Sequence, residues 1–421
     1  MLSIFIIFAL LRVPVCVAMG IGALVGLSMI DVPHEAMVRY MLDSVRSIPL
    51  LAIPFFILAA AVMNETGLTA RIFKFASALV GFTTGGLAQV NILSSVIFSG
   101  ISGSALADIS GLGSVQVKAM TEHGYSRPFS AAVTIASATI GPIIPPSIIF
   151  IIYAVNTNVS IGELFVAGVI PGLVIAALLM ATVWVLAKTG IEKCPPVERS
   201  SLRMIAATAL EGAPAIVSPI IIIAGMVTGI VTATEAAVLA VIYSLALGLA
   251  YRELNIEKFV SALQSSIRTT ALIMYLTGIG SVIAFVITWE QAAAELVTAV
   301  LSISSEKWIS LLLITLAILV LGCVLETVPA LLICIPLFAP AVADLGIDPV
   351  HFGVMLSFNL LIGIITPPIG LGLYAICATT GLKLEVVIKS SMYFFPTLII
   401  ALLFITYLPF LSTWLPSVLF E

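Results

Sequence analysis

The chain has 421 residues, 61% of them hydrophobic and 9% charged, and a mean hydropathy of +1.25. Charge this sparse in a chain this long excludes a soluble globular protein and defines an all-α polytopic membrane protein embedded in a lipid bilayer. Lysine and arginine total 17 and form no basic stripe, which excludes a nucleic-acid partner; the formal net charge of −4 carries little, because its distribution matters more than its sum.

Met1 to Ile30 is apolar, lacks a basic leading segment and an A-x-A cleavage site, and reads as a retained first span, not a signal peptide. Apolar stretches of roughly 20 residues, the length that crosses a bilayer, fall at 3–29, 48–66, 71–87, 129–156, 163–187, 213–230, 232–250, 269–288, 350–378 and 391–415. Two apolar regions, 89–119 and 309–345, are too long for one helix and are interrupted by Gly, Ser or Pro. Each reads as a re-entrant hairpin of two short helices that enter and leave on one side. The first is interrupted by S-G-I-S-G-S-A-L-A-D, Ser99 to Asp108. Loose backbone and polar groups at membrane depth are tolerated only inside protein or beside a water-filled cavity. Asp31 to Arg46 and Arg252 to Arg268 mix charges with Val, Leu and Phe, and read either as helices along the membrane interface or as polar linkers. Cys16, Cys194, Cys323, Cys334 and Cys377 form no C-x-x-C pair, so neither a disulfide framework nor a transition-metal site is expected.

The longest polar loop, 188–212, holds Lys188, Lys193, Arg199 and Arg203 beside Pro195 and Pro196, and by the positive-inside rule it faces the cytoplasm. Counting spans outward from it puts Arg39, Arg46, Lys118, Arg127, Arg252, Lys258, Arg268, Lys383 and Lys389 inside as well. Arg71, Lys74 and Lys307 fall outside and Arg12 within the first span, a balance of 13 to 3. This arrangement places both termini on the periplasmic side, opens the first hairpin from the cytoplasm and opens the second from the other face.

The chain also repeats itself. G-P-I-I-P-P at Gly141 to Pro146 and G-I-I-T-P-P at Gly363 to Pro368 share the pattern G-x-x-x-P-P, and both run on to Tyr-Ala at Tyr153 and Tyr374. Their offset of 222 also carries Gly100 onto Gly322 and Gly124 onto Gly346. With about five spans, a hairpin and a broken helix in each half, 1–187 and 213–421 read as inverted repeats joined by the loop 188–212. That is the plan of secondary transporters, whose sites lie at the midplane where helices are discontinuous. No G-x-x-x-x-G-K-[ST] occurs, so no nucleotide-binding module is present.

Each G-x-x-x-P-P should break a helix, because proline removes an amide donor and pushes the preceding residue out of the α region. The carbonyls of Gly141 to Pro145 and Gly363 to Pro367 then lose helical partners, and with the hydroxyls of Ser102, Ser104, Thr327 and Thr366 they make an oxygen-rich site suited to Na⁺. The alternative is that these residues only kink spans. Asp108 and Glu326, one in each hairpin, are the acids expected at membrane depth, where a carboxylate is a functional candidate by default. Either could meet substrate, cation or proton, and Asp108 could cap a hairpin helix. Asn91 and Asn359 are weaker candidates that could simply tie helices together.

Gly100 to Gly103 matches the G-x-S-G of intramembrane serine proteases. That chemistry needs a histidine base beside Ser102, whereas His34, His123 and His351 all fall in polar connections. His34-Glu35 lacks the second histidine of a zinc peptidase helix. The protein is not expected to be an enzyme.

Several stretches together resemble the large membrane subunit of tripartite ATP-independent periplasmic (TRAP) transporters: Ser47 to Ala59, Gly85 to Asn91, Ser102 to Asp108, Ile143 to Ser147, Leu164 to Gly172 and Thr232 to Val238. The resemblance runs from the first span to Pro396 or beyond. It implies Na⁺-driven import of an organic acid, such as a C4-dicarboxylate or a sialic acid, across the inner membrane of a bacterium or archaeon. It implies an elevator-type ion-transporter fold, in which a hairpin-bearing body slides against a scaffold, with no cofactor beyond Na⁺ as coupling ion. It further implies a periplasmic binding protein that delivers the substrate and a small membrane subunit of about four spans, expected here as a separate chain. The family's sodium sites fall on Ser102, Ser104, Gly141, Ile144, Pro146, Gly322, Thr327, Gly363 and Thr366. Its substrate region falls on Asp108 and Glu326, with Asn91, Ser147 and Asn359 as further substrate-binding candidates. The second hairpin has Glu326 where sialic-acid members tend to have Asp, so a sialic-acid assignment does not carry over directly. A dicarboxylate or citrate carrier without a binding protein is the alternative within transport.

Overall fold

The computed structural model describes the chain apart from residues 1–4, 6, 9, 10, 12, 196, 304, 305 and 421. Arg12, Pro196 and part of the first expected span thus lie outside the described residues, and among those described every regular element is helical. The first half begins with α1 (Val15–Met29), α2 (Glu35–Val45), a 3₁₀ turn (Ile48–Leu51), α3 (Ala52–Glu65) and α4 (Leu68–Val80). The first hairpin follows as α5 (Gly86–Ser102), α6 (Ala105–Ser110) and α7 (Leu112–Glu122). A broken helix, α8 (Arg127–Ala138) and α9 (Ile148–Thr157), leads into α10 (Ile161–Lys188). The second half runs α11 (Leu202–Val227), α12 (Ala233–Ala250), α13 (Ile256–Trp289) and α14 (Ala292–Ile303). Its hairpin is α15 (Lys307–Val324) and α16 (Thr327–Asp344), and its broken helix α17 (Pro349–Gly363) and α18 (Leu371–Thr380). The chain closes with α19 (Leu384–Ser391), α20 (Phe395–Tyr407) and α21 (Phe410–Phe420).

Polar residues flanking the apolar runs set where helices start. Ser126, Ser160 and Ser201 each accept the third backbone amide of the helix they precede. Thr232 and Glu235 form a reciprocal capping box, and Asp348 accepts from the amides of Val350 and His351. These side chains satisfy amides that have no partner within the helix. Inside the apolar helices, hydroxyls turn back onto carbonyls one turn earlier, as Ser266 does on Ala262 (2.7 Å) and Thr277 on Ile273 (2.9 Å).

The structure corrects the expected span at 71–87. It is the 13-residue α4, about 20 Å long, whose buried Leu68, Ile72 and Ala76 form one stripe at four-residue spacing while Arg71 and Lys74 lie off it. Its first turn is clamped to the α12–α13 connection: Arg71 Nη2 lies 2.6 Å from Glu253 Oε1, the guanidinium sits 3.9 Å from the Tyr251 ring centroid, and Lys258 Nζ donates to the Glu65 carbonyl at 3.0 Å. Its far end leads to Phe82, 4.9 Å from the Arg199 guanidinium in the connection 189–201. Both ends of α4 therefore stand on the side of that connection. Thr234 Oγ1 donates to the Ile48 carbonyl at 3.2 Å, which puts the starts of α3 and α12 together on the opposite face.

Arg71 and Lys74 thus join Arg252 and Lys258, while Arg39 and Arg46 move to the other side. Two residues change places each way, so the 13 to 3 balance of basic residues is unaltered. The direction of α1 reverses with them. Its Val15 end lies toward the 189–201 side, whereas Phe420 packs against Gly162 at the far end of α10 from Lys188. The Val15 end of α1 and the Phe420 end of α21 thus stand at opposite ends of the helix bundle.

Further boundaries shift. The loop expected at 188–212 ends at Ser201, where α11 begins, and the span expected at 391–415 is α20 and α21, bent by 51° between them. Adding 222 to the bounds of α1 to α4 gives 237–251, 257–267, 274–287 and 290–302. These fall on α12, the first third of α13, the rest of α13, and α14. In that register the second copy starts at α12, not at 213, and α11 is a linking helix without a counterpart. The segment Arg252 to Arg268 is from Ile256 onward the opening of the continuous 34-residue α13, whereas its counterpart α2 is a separate helix with no buried residue.

Each hairpin is tied to its broken helix by buried polar contacts, and one residue of the broken helix in each half takes part at the same place in the register. Ser137 Oγ on α8 donates to Asn91 Oδ1 on α5 (2.9 Å), and Asn359 Nδ2 on α17, 222 residues after Ser137, donates to the Thr315 carbonyl on α15 (2.8 Å). These contacts fix the depth at which each hairpin tip meets its break.

Candidate functional site

Both G-x-x-x-P-P motifs do break their helices. Between α8 and α9 the chain makes turns over 139–147, and between α17 and α18 over 364–370; each break contains a cis peptide bond, Pro145–Pro146 and Pro367–Pro368. At the first break the carbonyls of Gly141, Ile144 and Pro146 accept no backbone hydrogen bond among the described residues. Ser147 is fully buried; it donates to the Pro142 carbonyl and caps α9 through the Phe150 amide (3.2 Å), so it shapes the break and does not face open space.

The first hairpin tip sits on this break. Gly103 adopts a left-handed conformation (φ 58°), and a Cβ there would stand 2.4 Å from the Pro146 carbonyl oxygen, so only glycine lets the two backbones touch. Ser102 Oγ donates to Asp108 Oδ1, and Ser104 Oγ caps α6 at the Ala107 amide (3.4 Å). The other oxygen of Asp108, Oδ2, is buried without a hydrogen-bond partner among the described residues and faces the backbone of Gly141. Ser102, Ser104, Gly141, Pro146 and Asp108 are thereby gathered at one place, and Ile144 packs beside it against Gly172 of α10.

The second half repeats the arrangement. A Cβ on Gly363 would lie 2.1 Å from the Gly322 carbonyl oxygen, so the end of α15 and the second break are in backbone contact. Thr366 Oγ1 donates to the Ile362 carbonyl (2.7 Å). Thr327 opens α16 without a hydrogen bond from its hydroxyl among the described residues.

Between the two tips lies a cavity of about 410 Å³, within the roughly 300–1,000 Å³ of small-molecule sites. Its walls are residues 103–107 and Ser110 of the first hairpin, 325–328 of the second, Pro142, Ile148 and Ile149 at the first break, Gly363, Ile364 and 369–371 at the second, and a strip of α13 from Ser265 to Leu276. Glu326 is in this wall. It occupies the N-cap position of α16 yet makes no capping bond, so its carboxylate is left to the cavity. Asp108 is behind the wall, and Asn91 and Asn359 are deeper still, held by the helix ties described above. The α13 strip with Ser265 and Thr269 was not expected from the sequence; its signal is the cluster Ser265, Ser266, Thr269, Thr270 at the start of an otherwise apolar run.

No catalytic dyad is built here. Ser102 is paired with Asp108, whereas His34 bonds Ser28, His123 the Ala119 carbonyl, and His351 Ser412 and the Thr406 carbonyl. Among the described residues no group of three or more His, Cys, Asp or Glu could hold a metal ion.

Paired hairpins and paired broken helices around one membrane-depth cavity without a nucleophile–base pair define a polytopic carrier. Residues 2–411 match the family described as tripartite ATP-independent periplasmic transporter, DctM component, and the chain belongs to that family, whose members are transporter permeases and not enzymes. It is 38% identical to the sialic acid TRAP transporter large permease protein SiaM of Vibrio cholerae over 90% of this chain and 88% of that protein. It is 35% identical to the C4-dicarboxylate TRAP transporter large permease protein DctM of Pseudomonas aeruginosa, over 89% and 90%. Among solved structures, the YdaH transporter of Alcanivorax borkumensis shares the fold with a TM-score of 0.63 and 15% identity, covering 90% of this chain and 87% of that one.

Proposed function

We propose that the protein is the large permease subunit of a Na⁺-coupled TRAP transporter that imports an organic acid across the inner membrane. A periplasmic binding protein delivers the substrate, and a separate small membrane subunit completes the permease. The observation that carries this reading is the cavity walled by both hairpin tips, both helix breaks and α13. One Na⁺ is held by Ser102, Ser104 and the carbonyls of Gly141, Ile144 and Pro146, with Asp108 Oδ2 as a further oxygen. A second is held by Gly322, Thr327, Gly363 and Thr366. The substrate carboxylate sits between the tips near Glu326, drawn by the bound cations and by the amino-terminal ends of α6 and α16.

With the 189–201 connection in the cytoplasm, the Val15 end of α1 is cytoplasmic and Phe420 periplasmic, and the first hairpin opens inward. The cavity meets α13 at 265–276, around the middle of that helix, which supports a site at membrane depth. A second cavity of about 400 Å³ lies beyond the second hairpin against Ala284 and Thr288. Space against α13 on both sides of the hairpin supports an elevator movement along that helix. Cation and substrate together favour the closed, movable arrangement of the tips.

The test is thermal unfolding of the purified permease in Na⁺ against K⁺. Na⁺ is expected to raise the midpoint by mass action, and Ser102→Ala and Thr327→Ala each to reduce the shift. Equal midpoints in both salts would contradict the assignment of these residues to cation sites.

A further inference from the structure

We infer that the cavity takes a monocarboxylate carrying several hydroxyl groups, of the aldonic-acid kind, in preference to a dicarboxylate; this rests on the carboxylate-permease reading above and narrows it. No lysine, arginine or histidine is among the described residues that wall the cavity, whereas one carboxylate, Glu326, is. A substrate with a second carboxylate would bring that charge into an enclosed space beside Glu326 with no cationic side chain to meet it, and like charges in low dielectric repel strongly.

The hydroxyl inventory points the same way. Thr269 and Ser265 stand one turn apart on the α13 strip facing the cavity, and neither donates to a carbonyl one turn back, although Ser266 and Thr277 on the same helix do. Thr327 likewise makes no hydrogen bond among the described residues. Three hydroxyls and an acceptor carboxylate with no hydrogen-bond partner among the described residues match a ligand that itself offers several hydroxyls. Ser265 and Thr269 are exposed, so such a ligand replaces water at these two, whereas Thr327 is buried and gains from the ligand the partner whose absence is costly. Glu326 accepts from the substrate hydroxyls while the carboxylate of the substrate lies toward the cation sites at the breaks.

The test is direct binding to the purified permease with its small subunit in lipid nanodiscs, in Na⁺ and in K⁺. The probes are the six-carbon aldonates gluconate, galactonate and gulonate, and the dicarboxylates succinate and fumarate. At least one aldonate is expected to bind in Na⁺ roughly tenfold or more tightly than either dicarboxylate. Glu326→Gln is expected to move the two classes in opposite directions, weakening the aldonate about tenfold and tightening succinate. Thr269→Val is expected to weaken the aldonate several-fold and leave succinate unchanged. Succinate or fumarate binding as tightly as every aldonate, or Glu326→Gln moving both classes the same way, overturns the inference and leaves the permease reading intact. Absence of Na⁺-dependent binding by every aldonate to folded, monodisperse protein overturns the inference, and the unfolding comparison in Na⁺ and K⁺ decides the permease reading separately.

Discussion

At the scale of single residues, the two intramembrane acids have separate environments. Asp108 is joined to Ser102 and turned onto Gly141, away from the cavity, whereas Glu326 opens into it. Both were legible as candidates in the sequence, because a carboxylate in an apolar hairpin is rare. Which faced the substrate space was not, because that depends on whether each residue caps its own helix. Ser104 caps α6 in place of Asp108, and α16 starts without any side-chain cap. Asn91 and Asn359, weaker candidates for which the sequence left open a role in tying helices together, do hydrogen-bond between hairpin and broken helix.

Gly363 gives a sharp mutational prediction. A methyl group there meets the Gly322 carbonyl, which belongs to backbone and cannot swing away. Gly363→Ala is expected to lose about 1–3 kcal/mol of stability by overpacking. Gly20→Ala, whose new methyl would find Ile279 at an ordinary 3.6 Å, is expected to unfold like the parent protein. Thermal unfolding of the two variants side by side checks this.

Cys194, in the 189–201 connection, gives a pH prediction. Burial and the nearby Glu192 carboxylate both disfavour its thiolate and push the thiol up to about 11. The reactive thiolate is then scarce at neutral pH and grows as pH rises toward 11, so maleimide labelling of a variant retaining only this cysteine should be roughly 100-fold slower at pH 7.5 than that of an unperturbed thiol. Labelling should accelerate with pH, and Glu192→Gln should accelerate it further at fixed pH. A rate independent of pH between about 7.5 and 9.5, one unit either side of the ordinary thiol value, would contradict this environment.

At the scale of elements, the hairpins and broken helices were readable because their signals are local and duplicated. G-x-x-x-P-P recurs 222 residues apart, and the polar run Ser99 to Asp108 cannot face lipid. The fate of α4 was not readable. Its composition is apolar enough for a span, and the test that should have exposed the error, the balance of basic residues, returns 13 to 3 under either arrangement. The contact that decides it, Arg71 with Glu253, joins residues 182 apart. The register of 222 held the answer in another form, because α4 falls on α14, a helix of similar length in the same place before its hairpin. The pair Arg71→Cys and Glu253→Cys in a cysteine-free background is expected to cross-link spontaneously or with a short reagent. Failure to cross-link, together with labelling of the two positions from opposite sides of sealed vesicles, would restore the expected span at 71–87.

At the scale of the whole molecule, two copies of one plan enclose a single cavity, and α13 forms the side of it that belongs to neither hairpin. The fold class and the family could be read from the sequence, since both rest on patterns spread over the chain. The composition of the cavity could not, because its wall draws on five separate stretches and one of them, Ser265 to Leu276, looks like an ordinary span. In the proposed mechanism, sodium coupling is the step that turns this geometry into import. The most direct measurement is substrate uptake by proteoliposomes that contain both membrane subunits and are supplied with the binding protein, under an inward Na⁺ gradient and under an equal K⁺ gradient. Accumulation is predicted with Na⁺ only, and its loss in a Ser102→Ala, Thr327→Ala double variant. Equal accumulation in K⁺ would contradict sodium-coupled import.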